Sequence, residues 1–592
     1  YWTGVGWSEG ENWVKASTPT ATSWSYGNPP TITWQTGHEY WITPRGTDNA
    51  GNTETSLSTS TFIFDSSEPD SIVSVPQEGS YKKSLTMISG TAEDKPTGAG
   101  LVNSGLKDVW VMIRDVTSEP DKWWTGTEWS TTTITYVKVT GTSSWTYSFN
   151  DNNWTSGHEY WINVKAYDNV PNEEINISTR TFIFDKTPPV SSIITPSQGA
   201  RVSSIGEING DASDKPDSPL VNSGLSKVEI QIADLTPDPD EYWDGQNSVW
   251  TTTPTWITAT DKYNWYYTIT TETATWKNGH DYLIKSKGTD NATNVESVAG
   301  GTSFTYDNQP PVSVVNIPAD GSHYSNLISI QGTASDNKTG VNRVWVKIKK
   351  KSNGYHYNET IPGQDKWQFS EYWNICSGQE SWSYTISTSA WTYGQSYTIQ
   401  SKAEDKVTVP TSNTEVPVSS NTFTFDDRLP YSSITFPVGP VSSPPTIQGT
   451  AYDESPGALN EVRVRLWREV GPNNWWDKSN NQWTTSQVWN VAYSSTNWAT
   501  WSLSGVNWEY QAEYKIMPKA QDMTGYWEVP TSSITFKYDT NEPNSTIQVP
   551  EQDEFYKSLT ILSGSSSDTG PGNSASGVTL VKIQIKKLTE ST

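Results

Sequence analysis

Cysteine is nearly absent. Cys376 is the only one among 592 residues, so no intrachain disulfide can form, and stability must come from packing, hydrogen bonds or bound ions. This does not exclude an extracellular location. Long apolar runs are missing as well, and without a stretch of about 18 such residues there is no transmembrane helix. Positive charge is scarce, with 40 Lys and Arg against 65 Asp and Glu. The resulting net charge of −25 argues against a nucleic-acid partner and against attraction to anionic lipid, leaving cations, sugars and proteins. The sequence opens Tyr1-Trp2-Thr3-Gly4 with neither Met nor a signal-like apolar run, as expected of a mature or excised piece.

Catalytic signatures are lacking too. His38, His158 and His280 share one repeated context, Gly-His-Glu/Asp-Tyr, which reads as a turn position, while His323 and His356 have no metal-ligand spacing around them. No nucleophile elbow, phosphate-binding loop or dinucleotide fingerprint occurs. An acid/base pair duplicated in every repeat is not how an enzyme is built, so the chain is expected not to be an enzyme. Nor does any 3.6-residue apolar period persist over three turns, so helix is expected to be nearly absent.

Large aromatics fill the space these absences leave. Hydrophobic residues make up only 33% of the chain, yet it holds 32 Trp and 29 Tyr, enough for each of several domains to bury a core. The aromatics recur with a period. TFIFD, TFIFD, SFTYD, TFTFD and TFKYD end at Asp65, Asp185, Asp307, Asp426 and Asp539, at spacings of 120, 122, 119 and 113. Upstream stand Tyr40, Tyr160, Tyr282, Tyr397 and Tyr514, each preceded by six residues by Trp34, Trp154, Trp276, Trp391 or Trp508. Short β-branched and aromatic runs such as Val109–Ile113 and Thr61–Phe64, bounded by Gly, Pro, Asn and Ser, read as strands. The fold class predicted is all-β: tandem immunoglobulin-like antiparallel β-sandwiches arranged as an extended rod. Proline clusters such as Pro188-Pro189 and Pro310-Pro311 mark short, semi-rigid boundaries. They divide the chain into a C-terminal half-domain at 1–65, domains at 66–185, 186–307, 308–426 (divergent in its middle) and 427–539, and an N-terminal half-domain at 540–592.

Thr47-Asp48-Asn49-Ala50-Gly51-Asn52, the following TFIFD, a proline linker and Ile88-Ser89-Gly90-Thr91-Ala92-Glu93-Asp94 resemble the bacterial Ig-like (Big-type) tandem repeats of large extracellular surface proteins and adhesins. The resemblance runs over essentially the whole chain and implies architecture more than function, since such modules mostly serve as spacers. It departs in a long, Trp-rich middle hairpin and in loops such as Asp405-Lys406-Val407 and Asp522-Met523-Thr524.

Three carboxylates recur in each unit, one after the second main strand, one opening a later loop and one closing the last strand. In an immunoglobulin sandwich the first two share an end, and the chain enters from the preceding unit at that same end. Expected clusters are Asp65/Asp94/Asp168, Asp185/Asp214/Asp290, Asp307/Asp336/Asp405 and Asp426/Asp453/Asp522. Three converging carboxylates repel one another unless a hard cation such as Ca²⁺ joins them, and calcium between domains is also what the resemblance implies. The competing explanation is that these aspartates cap turns, with Lys95, Lys215 and Lys406 neutralising them.

The aromatic pairs Tyr1-Trp2, Trp123-Trp124, Tyr242-Trp243, Tyr372-Trp373 and Trp475-Trp476 carry a further signal. Neighbours on a strand face opposite ways, so these pairs read as hairpins projecting from the sandwich, with Trp2, Trp124, Trp243, Trp373 and Trp476 as contact residues for a neighbouring chain or a glycan. The insertion Lys351–Tyr357 makes the 308–426 domain the candidate for a private ligand. Finally, Val581–Thr592 repeats the pattern of Val228–Thr236, which in an intact unit precedes a hairpin like Tyr1-Trp2. Residues 540–592 and 1–65 together make one unit length, which predicts head-to-tail completion by further copies, either as successive periods of one longer polypeptide, the favoured form, or as separate complementing subunits, with lateral contacts as a second option. The reading is a cell-surface fibre, stalk or adhesin shaft with a glycan or cell-surface receptor as an outside partner. The alternative is a carbohydrate-binding array.

Overall fold

Along Met87–Glu93 every second residue, Ile88, Gly90 and Ala92, turns inward while its neighbours face out, the period of a strand with one buried face. The same alternation shapes Glu207–Ser213, Ser329–Ser335 and Ile447–Tyr452. A computed structural model describes the chain except at residues 21–22, 28–30, 271–274, 299, 364, 418–419, 455–456, 571–574 and 589–592. The last four residues of the repeated run ending at Thr592 therefore lie outside the described residues. The chain forms two compact units, Tyr1–Asp307 and Asn308–Thr592.

In the first unit, residues 186–307 illustrate the repeated sandwich. One sheet orders Val190–Thr195, Glu207–Ser213 and Asn264–Thr268, all antiparallel. The other runs Ala200–Val202, Thr302–Tyr306, His280–Asp290, Leu225–Asp234, Glu241–Asp244, Val249–Thr251, with Ile257–Thr258 beside Leu225–Asp234. The first of these pairs is parallel, since the chain crosses from one sheet to the other after Thr195. Residues 66–185 repeat this topology. In the second unit it returns in 308–426, and in 427–539 with a single parallel bridge, Val441–Tyr538, at the crossover. The fold is all-β and Ig-like, and helical turns such as Asp151–Asn153 and Thr388–Ala390 span three residues each.

The repeated Trp and Tyr form the core. Trp276 meets Tyr282 edge-on at 4.9 Å and Phe304 at 5.2 Å, and its Nε1–H donates to Ile205 O. Tyr282 Oη accepts from Lys277 N at 2.7 Å, closing the corner between the two motif residues, and Tyr160, Tyr397 and Tyr514 do the same with Thr155, Thr392 and Glu509. Spanning five residues, that bond fixes the interval between Trp and Tyr.

The aromatic hairpins depart from the sequence expectation. Trp124, Trp243 and Trp476 are buried, not projecting. The hairpin continues the larger sheet and folds this residue onto the domain, where Trp243 meets Trp250 at 5.5 Å and Trp250 meets Tyr282 at 5.7 Å. The outward member is its neighbour: Trp123, Tyr242 or Trp475. In 308–426 the pair itself was misplaced. The insertion shifts the hairpin to His356–Tyr357 and Trp367–Gln368, where Tyr357 takes the buried role, while half-buried Trp373 lies on a later segment.

The end segments lack parts that the intact sandwiches have. In 1–65, His38–Ile42 pairs only with Ser60–Phe64 among the described residues, and Trp24, equivalent to fully buried Trp265, is 52% exposed. In 540–588, Asn544–Val549 pairs with Ser563–Ser567. Ile585 there is 76% exposed, whereas its equivalent Ile232 is completely buried.

Candidate metal centres

Each triad is assembled by three strand ends. Asp185 directly follows Ser178–Phe184, Asp214 follows Glu207–Ser213, and Asp290 ends His280–Asp290. Because Phe184 packs near Trp154 at 5.9 Å, the core of one sandwich sets where its terminal aspartate enters the next. Asp185, Asp214 and Asp290 are all buried, and each offers a carboxylate oxygen within 4.8 Å of the others. Asp65, Asp94 and Asp168 meet in the same way in the first unit, as do Asp426, Asp453 and Asp522 in the second. Asp307 is buried where it closes the first unit. Asp336 follows Ser329–Ser335, and Asp405 ends Ser396–Asp405, both in the second.

The surrounding loops explain part of the repetition through turn capping. Asn294 N and Nδ2 donate to the two oxygens of Asp290 at 2.7 Å each, and Nδ2 also reaches Asp185 O at 2.8 Å. Ser223 N donates to Asp185 Oδ2 at 2.8 Å. Around Asp168, Asn172 makes the equivalent bonds, and Ser104 N serves Asp65. Two of the three lysines expected to neutralise the charge are engaged elsewhere, Lys95 with Glu93 and Lys215 with Asp217.

Capping does not account for the triad of 427–539. Arg428 N donates to Asp426 Oδ1, and Tyr526 N with Thr524 Oγ1 to Asp522 Oδ1. Asp426 Oδ2, Asp522 Oδ2 and both oxygens of Asp453 are buried without a hydrogen-bond partner. An orphaned buried carboxylate oxygen loses its hydration with nothing in return. Burial, followed by the charges of Asp426 and Asp522, pushes the Asp453 carboxyl up to about 7. Burial, with Asp185 and Asp290 adding to it, pushes Asp214 up to about 6. Asp94 is raised for the same reasons, burial first and then Asp65 and Asp168. Oxygen-only donors, several negative charges and no ammonium among them suit a hard divalent cation.

Two features were not anticipated from sequence. His158 and His280 are not simple turn residues: each Nδ1 lies 2.8 Å from a buried carboxylate, Asp115 or Asp234, at the end of the facing strand. The signal was there as a covariation. The units with Lys350 or Arg468 at the aspartate's register have Gln395 or Ala512 in place of the histidine. The second feature is a cation set against an aromatic ring on the outer face of the larger sheet: Lys165 on Tyr136, Lys287 on Trp256, Lys402 on Trp373 and Lys519 on Trp489, 3.9–4.6 Å from the ring centroids. Of the predicted contact residues, Trp2 is half-buried against Trp7 at 5.5 Å, and Trp373 belongs to this outer face.

No helix among the described residues is long and apolar enough to cross a membrane. No family model and no curated protein matches the chain. Among solved structures it is similar to a tetra-tandem repeat in the extending region of a large adhesion protein, with 14% identity, 80% of this chain and 100% of that one covered, and a TM-score of 0.28. It is also similar to a Ca²⁺-stabilized adhesin that helps an Antarctic bacterium reach out and bind ice, at 11% identity, 79% and 97% coverage and TM-score 0.24. Chicken CNTN1 FN1–FN3 domains match at 10% identity, 59% and 97% coverage and TM-score 0.24. Identities this low bear on nothing beyond the fold.

Proposed function

We propose that this chain is a stretch of a non-enzymatic, extracellular structural protein, built from bacterial Ig-like repeats, that serves as the shaft of a cell-surface stalk or adhesin and is braced by Ca²⁺ between successive sandwiches. The observation that carries the proposal is the set of four partnerless carboxylate oxygens in Asp426, Asp453 and Asp522, which a cation would satisfy. Asp65/Asp94/Asp168 and Asp185/Asp214/Asp290 would hold the same ion. Burial pushes the Cys376 thiol up to about 12, which keeps it protonated at neutral pH. The test is thermal unfolding after exhaustive EDTA treatment and again with millimolar Ca²⁺. A rise in Tm with Ca²⁺ is expected, and an unchanged Tm sinks the calcium part of the proposal.

A second element concerns partners. We infer that the faces left open in 1–65 and 540–588 are completed by the same segments of further copies, head to tail. Gly564 lies at the register where Gly210 receives the Trp265 ring, and it has no ring above it, while the equivalent Trp24 is exposed. Asp539 and Asp568 are held by Ser576 N and Gly577 N as a triad lacking its third member, for which Asp48 is the repeat equivalent. Concentration-dependent self-association that shields Trp24 is expected. A chain that stays monomeric at high concentration rules this element out and leaves the calcium reading untouched.

A further inference from the structure

The larger sheet of 427–539 carries an outer face unlike those of the other sandwiches. Arg463, Arg465 and Lys519 come from adjacent antiparallel strands, Leu459–Arg468 and Ala512–Asp522. They interleave with three half-buried indoles. Arg465 lies 5.2 Å from Trp475 and 4.9 Å from Trp489, Lys519 lies 4.4 Å from Trp489 and 4.1 Å from Trp527, and Arg463 lies 4.9 Å from Trp527.

In the other sandwiches carboxylates meet the cations of this face. Arg114 pairs with Asp121, Lys165 with Glu173 at 2.6 Å, Lys287 with Glu229 at 3.7 Å and Lys347 with Glu371 at 3.1 Å. In 427–539 the equivalents of Asp121 and Glu173 are Asn473 and Trp527, and Arg463 stands where Glu229 does. Arg465 donates instead to neutral groups, Gln487 Oε1 at 2.7 Å and Met517 Sδ at 3.0 Å. Glu461, paired with Arg463 at 2.6 Å, is the acid on this cluster. Lys519 is held below the usual ammonium range by burial first and then by the charge of Arg463, with Arg465 adding to it against the opposing Glu461. Three cations crowd together with a single counter-charge, in a chain whose net charge is −25.

We propose that this face binds an anionic polysaccharide, the guanidinium and ammonium groups taking its carboxylates or sulfates and the indole edges between them lying against the sugar rings. The proposal is independent of the calcium and head-to-tail readings. Aromatic edges alternating with fixed cations suit a chain that offers an apolar ring and a charge in each residue. An acidic polypeptide offers only the charge.

The probes are dextran sulfate and polygalacturonate, with neutral dextran as the control, and binding is measured on the full chain by affinity electrophoresis and calorimetry. The sulfated and carboxylated polymers are expected to bind, more weakly as salt rises, while dextran does not. The double substitution Arg465→Gln/Lys519→Gln is expected to weaken binding at least tenfold. The equivalent change Lys287→Gln in the 186–307 sandwich is expected to leave binding unchanged. Near-UV circular dichroism and Tm report whether each variant keeps its fold. Because the double change removes ring contacts too, Arg463→Glu, which puts the acid of Glu229 at its register opposite Lys519 and leaves the Arg465 and Lys519 ring contacts in place, serves as a second variant expected to weaken binding. Three results would each overturn the proposal: no binding of either polyanion, equal binding by the double variant, or poly-glutamate bound as tightly as the polysaccharides.

Discussion

The indole of Trp265 occupies the space where a side chain on Gly210 would stand. A Cβ on that glycine would collide with the Trp265 ring on one side and with Ser192 O on the other. Gly90 with Trp145, Gly332 with Trp382 and Gly449 with Trp501 repeat the arrangement, and each indole is buried. The glycine is required here for close approach, not for an unusual backbone angle.

Gly210→Ala, or Gly449→Ala in the second unit, is therefore expected to destabilise its sandwich by about 1–3 kcal/mol, the usual cost of overpacking a closed core. Chemical denaturation followed by Trp fluorescence measures this. Gly206→Ala, where a Cβ meets nothing within 4 Å, is the control and should be nearly silent.

Asp453→Asn should change sign with calcium. Without the cation the substitution removes a desolvated charge and raises stability by of order 1 kcal/mol after allowance for solvent screening. With the cation it removes a ligand and lowers Tm. Differential scanning calorimetry of both proteins with EDTA and with Ca²⁺ gives the four values. A variant destabilised equally in both conditions would assign Asp453 to packing.

The calcium effect should also grow with pH. Asp214 and Asp453 titrate at about 6 and about 7 in the folded chain, against an ordinary value of 3.8. A carboxyl whose pKa is raised by folding favours the folded state while protonated. That contribution is full below about pH 4 and is lost as pH rises through about 6 and about 7. A bound cation offsets the loss, so the Ca²⁺-dependent rise in Tm is expected to be smallest near pH 4.5 and largest near pH 8. A rise independent of pH contradicts the assignment.

Much of the triad geometry was legible because each aspartate sits at a fixed distance from an aromatic motif, and topology alone brings strand ends together. Which oxygens stay unsatisfied was not legible, since that depends on single backbone N–H groups such as Ser223 N, supplied by loops without a regular pattern. The hairpins misled for a related reason. Period-2 alternation says that Trp475 and Trp476 face opposite ways, but which one meets the core follows from the hairpin's register with Leu459–Arg468, set by an irregular turn. In 308–426 the insertion before Tyr357 shifted that register, so adjacency of Tyr372 and Trp373 pointed to the wrong segment.

The histidine–aspartate pairs bear on self-association. In the intact sandwich Asp234 faces His280, whereas at the equivalent register of the tail stands Lys587, which on completion would face His38. Lys587→Asp is thus expected to tighten head-to-tail association several-fold, since the imidazole then has a carboxylate to donate to instead of facing an ammonium. Sedimentation equilibrium of both chains measures it, and no difference would remove this pair from the completed interface.

In 66–185, 186–307 and 308–426 the crossover strand lies parallel to the last strand, as in Ala200–Val202 against Phe304–Tyr306. Tension entering before one strand and leaving after the other drags them past each other lengthwise. All the bonds of the pair then share the load and must rupture together, instead of opening one at a time like a zipper. Residues 427–539 have one bridge at this place, Val441–Tyr538, so under pulling that sandwich is the one to yield first.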